Sequence, residues 1–236
     1  MTNSNYKKIL EEFEETLIKN NRPLDSAKLM AVSKTRSLQE VQEVYNQGQF
    51  LFGENRVQEI QKKFSDKQSW GKDYQKISCH LIGHLQSNKI TKAVSLTDCI
   101  ESVDSVKLLK QIESKAESLE KSIEVLLEFN TSKEENKSGF ISEDELVEAF
   151  ALIKDLKWVK VKGLMTVGPI GMGLNTKQWE KATHESFILL RNLKEKYKDY
   201  LDGEVLSMGM SHDYKIALEE GSTLVRVGTA IFGERK

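Results

Sequence analysis

The chain has 236 residues, 39% of them hydrophobic, enough to bury a substantial core in one large domain or two small ones. Its 35 basic and 36 acidic side chains are interspersed and leave a net charge of −1, so no broad field recruits nucleic acid or an anionic membrane, and a small molecule is the expected partner. No run of about 18 uninterrupted apolar residues occurs, and the opening MTNSNYKKILEEF lacks the apolar centre of a secretory signal, which makes a cytoplasmic chain the expectation.

In chain order, Tyr6, Ile9, Leu10, Phe13 and Leu17 follow helical spacing and predict an amphipathic helix over the first twenty residues, stopped by Asn20, Asn21 and Pro23. Short apolar runs follow at 27–33, 50–53, 77–83, 98–103, 123–130, 159–167, 205–209 and 224–228, which makes eight candidate strands. Helix-patterned stretches separate them, including Leu109, Ile112, Ala116 and Leu119, then Leu146, Phe150 and Ile153, then Trp179, Ala182, Phe187, Leu190 and Leu193. Strand–helix alternation with near-continuous apolar strands predicts an α/β fold, a single (β/α)8 barrel with an extra N-terminal helix; an open doubly wound sheet is the alternative. Such a barrel takes about 250 residues, so residues 1–236 are expected to form one domain. Cys79 and Cys99 lie inside apolar runs and read as reduced core residues, and the polar segment 131–139 reads as a mobile loop.

Working groups of such barrels sit at the C-terminal ends of the strands. Here those positions hold Lys34, Glu54, Asn55, His84, Asn130, Met165, Thr166, Ser207 to Ser211, and Arg226 to Thr229. Lys34 ends the first apolar run, where apolar neighbours would favour a free amine able to attack a carbonyl; a solvated lysine opening a helix is the plainer reading. Gly209 and Ser211 in LSMGMSHDYKIALEEG, and Arg226, Gly228 and Thr229 in LVRVGTAIFG, suit a phosphate at two adjoining loops, although ordinary turns and helix caps account for each alone. His80 and His84 are four apart, but Gly83 interrupts any common helix face, so a shared metal is not expected.

Together AVSKTR, FGENRVQE, HLIGHLQSNK, NTSKEENKSGF, GLMTVGP, SMGMSHDY and GSTLVRVGTAIFGER resemble the pyridoxal phosphate homeostasis protein family, over Met30 to Arg235. The resemblance implies the alanine racemase-like barrel of the type III pyridoxal-phosphate proteins. It further implies that Lys34 holds the aldehyde of pyridoxal 5'-phosphate, that Ser211, Gly228 and Thr229 hold its phosphate, that Arg226 faces the pyridine nitrogen, and that Asn55 and Met165 line the ring pocket. Lys137 resembles a second lysine discussed in the family as a cofactor contact, against the plainer reading of an exposed loop lysine. Related racemases use a second acid/base group, similar to a tyrosine from an additional domain of a partner subunit, for which this chain has no room. The expectation is therefore a monomeric, non-enzymatic carrier or buffer of the cofactor, with apo pyridoxal-phosphate enzymes as recipients. An amino-acid racemase is the alternative, and a barrel enzyme acting on a phosphorylated sugar is a third reading.

Overall fold

A computed structural model describes residues 2–234, so Arg235, at the end of the last motif, lies outside the described residues. Helix α1 (Thr2–Lys19) precedes eight strand–helix units: β1 (Lys28–Val32), α2 (Leu38–Tyr45), β2 (Leu51–Glu54), α3 (Val57–Phe64), β3 (Ser78–Leu81), α4 (Ile90–Leu96), β4 (Cys99–Val103), α5 (Val106–Ser118), β5 (Ile123–Glu128), α6 (Glu143–Ile153), β6 (Val159–Met165), α7 (Thr176–Lys196), β7 (Val205–Ser207), α8 (Tyr214–Glu219), β8 (Leu224–Val227) and α9 (Thr229–Phe232). All neighbouring strands are parallel, and the sheet closes where β8 pairs with β1, Lys28 opposite Leu224 and Ala31 opposite Val227. Closure excludes the open doubly wound sheet, which would leave β1 or β8 with an unpaired edge.

The strands read as continuous apolar runs because both faces are covered. Outward side chains such as Ala31, Phe52, Ile100, Val125, Val161 and Val225 pack with the helices in one large cluster. Inward side chains fill the axis instead: Met30, Val32 and Leu224 form one group, and Cys99, Leu126 and Met165 another. Gly53 makes room for the first, since a Cβ there would lie 2.5 Å from the Met30 sulfur. Cys79 and Cys99 are both buried.

Helix α1 buries Tyr6, Ile9, Phe13 and Leu17, and at about 1.5–3 kcal/mol for each large apolar side chain this packing outweighs its intrinsic propensity. It lies against α2, α8 and α9, where the Tyr6 hydroxyl donates to Gln49 Oε1 at 3.1 Å and the Tyr214 hydroxyl to Glu12 Oε2 at 3.0 Å. Asn21 ends it in the left-handed region, at φ 55°. Among the described residues no helix is long and apolar enough to cross a membrane.

Candidate functional site

Lys34 leaves the end of β1 on a turn that the neighbouring unit clamps on both sides. The buried Lys63 ammonium of α3 donates to the Ser33 carbonyl at 2.7 Å, to Glu54 Oε1 at 2.8 Å and to Glu59 Oε2 at 2.9 Å. Glu59 Oε2 in turn accepts the Thr35 backbone N–H at 2.7 Å, and the Ser33 hydroxyl donates to Glu54 at 2.6 Å. The peptides before and after Lys34 are thus both fixed, which lets Thr35 sit at φ 64°, a conformation unfavourable for a β-branched residue. Burial raises the Glu54 pKa despite the hydrogen bonds from Lys63 and Ser33. At Glu59 burial also opposes the charge, but the Lys63 and Thr35 hydrogen bonds prevail and hold its pKa below the usual carboxylate range.

Across the barrel seam lie the loops after β7 and β8. Gly209 turns the first at φ 95°, and a Cβ there would meet the Ala217 Cβ at 2.5 Å, so the loop can pack on α8 only with glycine in place. This brings the Ser211 hydroxyl to the start of α9, where it accepts the N–H groups of Gly228 at 3.2 Å and Ala230 at 3.3 Å. Both bonds are long, so an arriving anion can take over these amides at little cost.

Arg226 points inward from β8 and is 3% exposed. It donates through Nη1 to the Ser207 hydroxyl and through Nη2 to the Thr166 carbonyl at 2.7 Å, while Glu101 Oε2 lies 3.9 Å away. Burial lowers its pKa, and the charges of Glu101, Asp213 and Glu128 oppose that shift.

Lys34, Ser211, Arg226, Gly228 and Thr229 line one cleft of about 160 Å³ with Val32, Thr35, Arg36, Ile82, Met210 and His212. Its ionisable side chains, Lys34, Arg36, His212 and Arg226, are all basic. The donor set fits pyridoxal phosphate: an amine for an aldehyde, hydroxyls and amides for a phosphate, and a fixed cation on the inner wall.

The other two candidates fall outside that lining. Asn55 lines the adjacent cleft with Arg56 and His84, pressed against Gly83 so closely that a Cβ there would come within 2.5 Å of the Asn55 carbonyl oxygen. Met165 is 1% exposed and packs along the barrel axis with Cys99 and Leu126.

Lys137 departs from the exposed loop lysine. Its side chain is 12% exposed, pairs with Glu134 at 3.2 Å and donates to the Gly168 carbonyl at 2.6 Å and to Ser132 Oγ at 3.0 Å, pinning the loop after β5 to the loop after β6. It does not line the cleft. His80 and His84 engage different carboxylates, Glu101 at 2.7 Å and Asp104 at 3.1 Å. Among the described residues no group of three or more His, Cys, Asp or Glu is placed to hold a metal ion.

The clamp of Lys63 and Glu59 was not anticipated, yet it left a signal. In VQEIQKKF, Lys63 shares the buried face with Val57, Ile60 and Phe64, and stands four residues after Glu59. A lysine on an apolar stripe calls for a buried partner. Glu101, a carboxylate at the centre of the buried strand CIESV, carries the same signal.

The model of the alanine racemase N-terminal domain family matches residues 13–236. The chain is 35% identical over 231 residues to the pyridoxal phosphate homeostasis protein of Aquifex aeolicus, covering 97% of this chain and 96% of that one. Its structure is similar to that of PipY of Synechococcus elongatus with pyridoxal phosphate bound, at a TM-score of 0.78 and 33% identity, covering 94% of this chain and 100% of PipY. The fold extends to the alanine racemase of Streptomyces coelicolor, at a TM-score of 0.75 and 16% identity, covering 99% of this chain and 59% of the racemase. On the match of its sequence over nearly its whole length, the chain belongs to the alanine racemase N-terminal domain family and, within it, to the pyridoxal phosphate homeostasis proteins.

Proposed function

We propose that this chain binds pyridoxal 5'-phosphate in the cleft between the ends of β1, β7 and β8, held as a Schiff base to Lys34, and that it carries or buffers the cofactor without turning over a substrate. The observation that carries the reading is the cleft itself: in a chain of net charge −1, every ionisable side chain lining it is basic, and a lysine amine shares it with the hydroxyls of Ser211 and Thr229. The relatives' name and the cofactor bound in PipY support the same ligand.

When bound, the cofactor supplies an aldehyde to which an amine adds reversibly with loss of water. Lys34 supplies that amine, aimed by the fixed peptides on either side of it. Ser211, Thr229 and the amides of Gly228 and Ala230 take the phosphate. Arg226 places a positive charge toward the ring nitrogen, which disfavours its protonation and restrains carbanion chemistry. Asn55 and Met165 as ring-pocket residues rest on the family likeness alone. In this reading residues 1–236 act as one domain, as a cytoplasmic monomer whose recipients are apo pyridoxal-phosphate enzymes.

The test is direct. Protein incubated with the cofactor should turn yellow, bleach with borohydride and carry the added mass on the Lys34 peptide; mass on another lysine overturns the assignment. One feature favours the racemase as a second reading, since His212 gives the cleft another group able to exchange a proton. Exchange of the α-hydrogen of alanine in deuterated water, faster with loaded protein than with free cofactor and lost in His212→Gln, would establish that reading in place of the carrier.

A further inference from the structure

A chain of polar side chains crosses the barrel interior from one mouth to the other. At the C-terminal mouth Arg226 lines the cleft and donates to Ser207 Oγ. The Ser207 hydroxyl donates to Glu101 Oε2 at 2.6 Å, and Glu101 Oε1 meets His80 Nδ1 at 2.7 Å. His80 then lines a second cavity, of about 580 Å³, which opens at the N-terminal mouth between Lys28, Glu124 and Lys162. Every member but His80 is buried, and His80 keeps contact with the far opening.

Glu101 is a fully buried carboxylate placed between two bases. Burial raises its pKa, but the His80 hydrogen bond and the charges of His80 and Arg226 outweigh that and hold it below the usual range. In so dry a setting one carboxylate cannot neutralise both neighbours. With His80 neutral, Glu101 balances Arg226. With His80 protonated, Glu101 is shared, and the positive field beyond Arg226 rises. Other ionisable groups surround the chain: Asp213 and Glu128 act on Arg226, Glu128 with a pKa that burial and Asp104 raise to about 7, while Asp25, Lys28, Lys76, Glu124, Lys162 and Glu204 share the cavity with His80, whose partner residue on β2 is Gly53.

We propose that His80 and Glu101 are positioning residues that set, from the opposite mouth of the barrel, the charge Arg226 presents to the ring of bound pyridoxal phosphate, so that protonation at the far mouth is coupled to cofactor binding at the near one. The proposal rests on the reading that the cleft holds this cofactor. Imidazoles generally change charge between about pH 5 and 8, and coupling between two sites is reciprocal. Cofactor binding must therefore move the titration of His80, and protonation of His80 must change cofactor affinity by the same factor.

The experiment follows the imidazole resonance of His80 by NMR across pH 5 to 8 in the free protein, with inorganic phosphate, and with pyridoxal phosphate; His80→Gln assigns the signal. The expected result is a midpoint shift of about half a pH unit or more with pyridoxal phosphate only, matched by a threefold or larger pH-dependent change in dissociation constant that both His80→Gln and Glu101→Gln remove in a Glu128→Gln background, where the titration of Glu128 is absent. The Glu101→Gln variant keeps the side-chain size, and circular dichroism checks both folds. A His212→Gln variant, altered in the cleft itself, should keep the far-mouth shift. Absence of any bound chromophore would defeat the cofactor reading. A bound chromophore with an unmoved His80 midpoint, or an equal shift with inorganic phosphate, would overturn the coupling while leaving that reading intact.

Discussion

The N-terminal mouth of the barrel opens on a cavity of about 580 Å³, the C-terminal mouth on a cleft of about 160 Å³. Asp25, Glu124 and Glu204 face Lys28, Lys76 and Lys162 around the larger one, so its charges cancel and no ligand class is selected. Around the smaller one the charges are all basic, and the loops that form it are held by Gly209 and by the buried clamp of Lys63. Between these two openings, volume and charge point to different ends. What separates the two mouths is charge and a fixed backbone.

The largest expected effect tests which mouth holds the reactive amine. Lys34→Ala should abolish the borohydride-trapped adduct and leave the circular dichroism spectrum unchanged, whereas Lys162→Ala should leave the adduct intact. An adduct that survived Lys34→Ala and vanished in Lys162→Ala would reverse the comparison.

Next is the clamp. Lys63→Met strips a buried ion pair of its cation, and denaturant unfolding should show a loss of about 3–5 kcal/mol. Part should return in Lys63→Met/Glu54→Gln, which removes the stranded charge. A single variant as stable as wild type would mean that the turn carrying Lys34 does not depend on α3.

Glu128 gives a pH signature at the C-terminal side. Burial and the charge of Asp104 raise its pKa to about 7, against the opposing charges of Arg226 and Lys137. A carboxyl with a raised folded-state pKa contributes its full stability below its unfolded value and loses it as pH climbs through the folded one. Stability should thus fall between about pH 4.5 and 7 by at most about 3 kcal/mol. Glu128→Gln should flatten that limb and match wild type at pH 4; an unchanged slope would remove Glu128 as its source.

The smallest effect concerns the phosphate. Ser211→Ala and Thr229→Val each remove a hydroxyl from an anion site, where a charged hydrogen bond contributes about 1.5–3 kcal/mol, so each should weaken cofactor binding roughly tenfold or more by equilibrium dialysis. Ser78→Ala, at the other mouth, should not. Equal affinity of wild type and the double variant would take the phosphate away from this cleft.

The barrel was legible in the sequence because a strand covered on both faces is apolar throughout, and eight such runs leave few arrangements. The same property hid the interior. Within ISCHL and CIESV the alternation of inward and outward positions is masked by apolar residues on both sides, so His80 and Glu101 give no sign that they meet. Lys34, Ser211 and Arg226 stand out because strand ends are few and chemically conspicuous, and the structure brings them to one cleft. Asn55 and Met165 carry family motifs, but a motif fixes neither rotamer nor facing, and the structure turns one toward the neighbouring cleft and the other into the axis. Lys137 reads as exposed because its neighbours are polar; besides Glu134 and Ser132 it donates to carbonyls thirty residues downstream, which no local pattern reveals.

The seam between β1 and β8 also orders events in time. Lys34 follows the first strand made and Thr229 opens the helix after the last, so at about 5–20 residues per second roughly ten to forty seconds of synthesis separate the two sides of the cleft. An unfinished chain therefore offers a lysine but no pocket. Since a ligand stabilises only the form that binds it, pyridoxal phosphate can reward completion of this barrel and can do nothing for its nascent fragments.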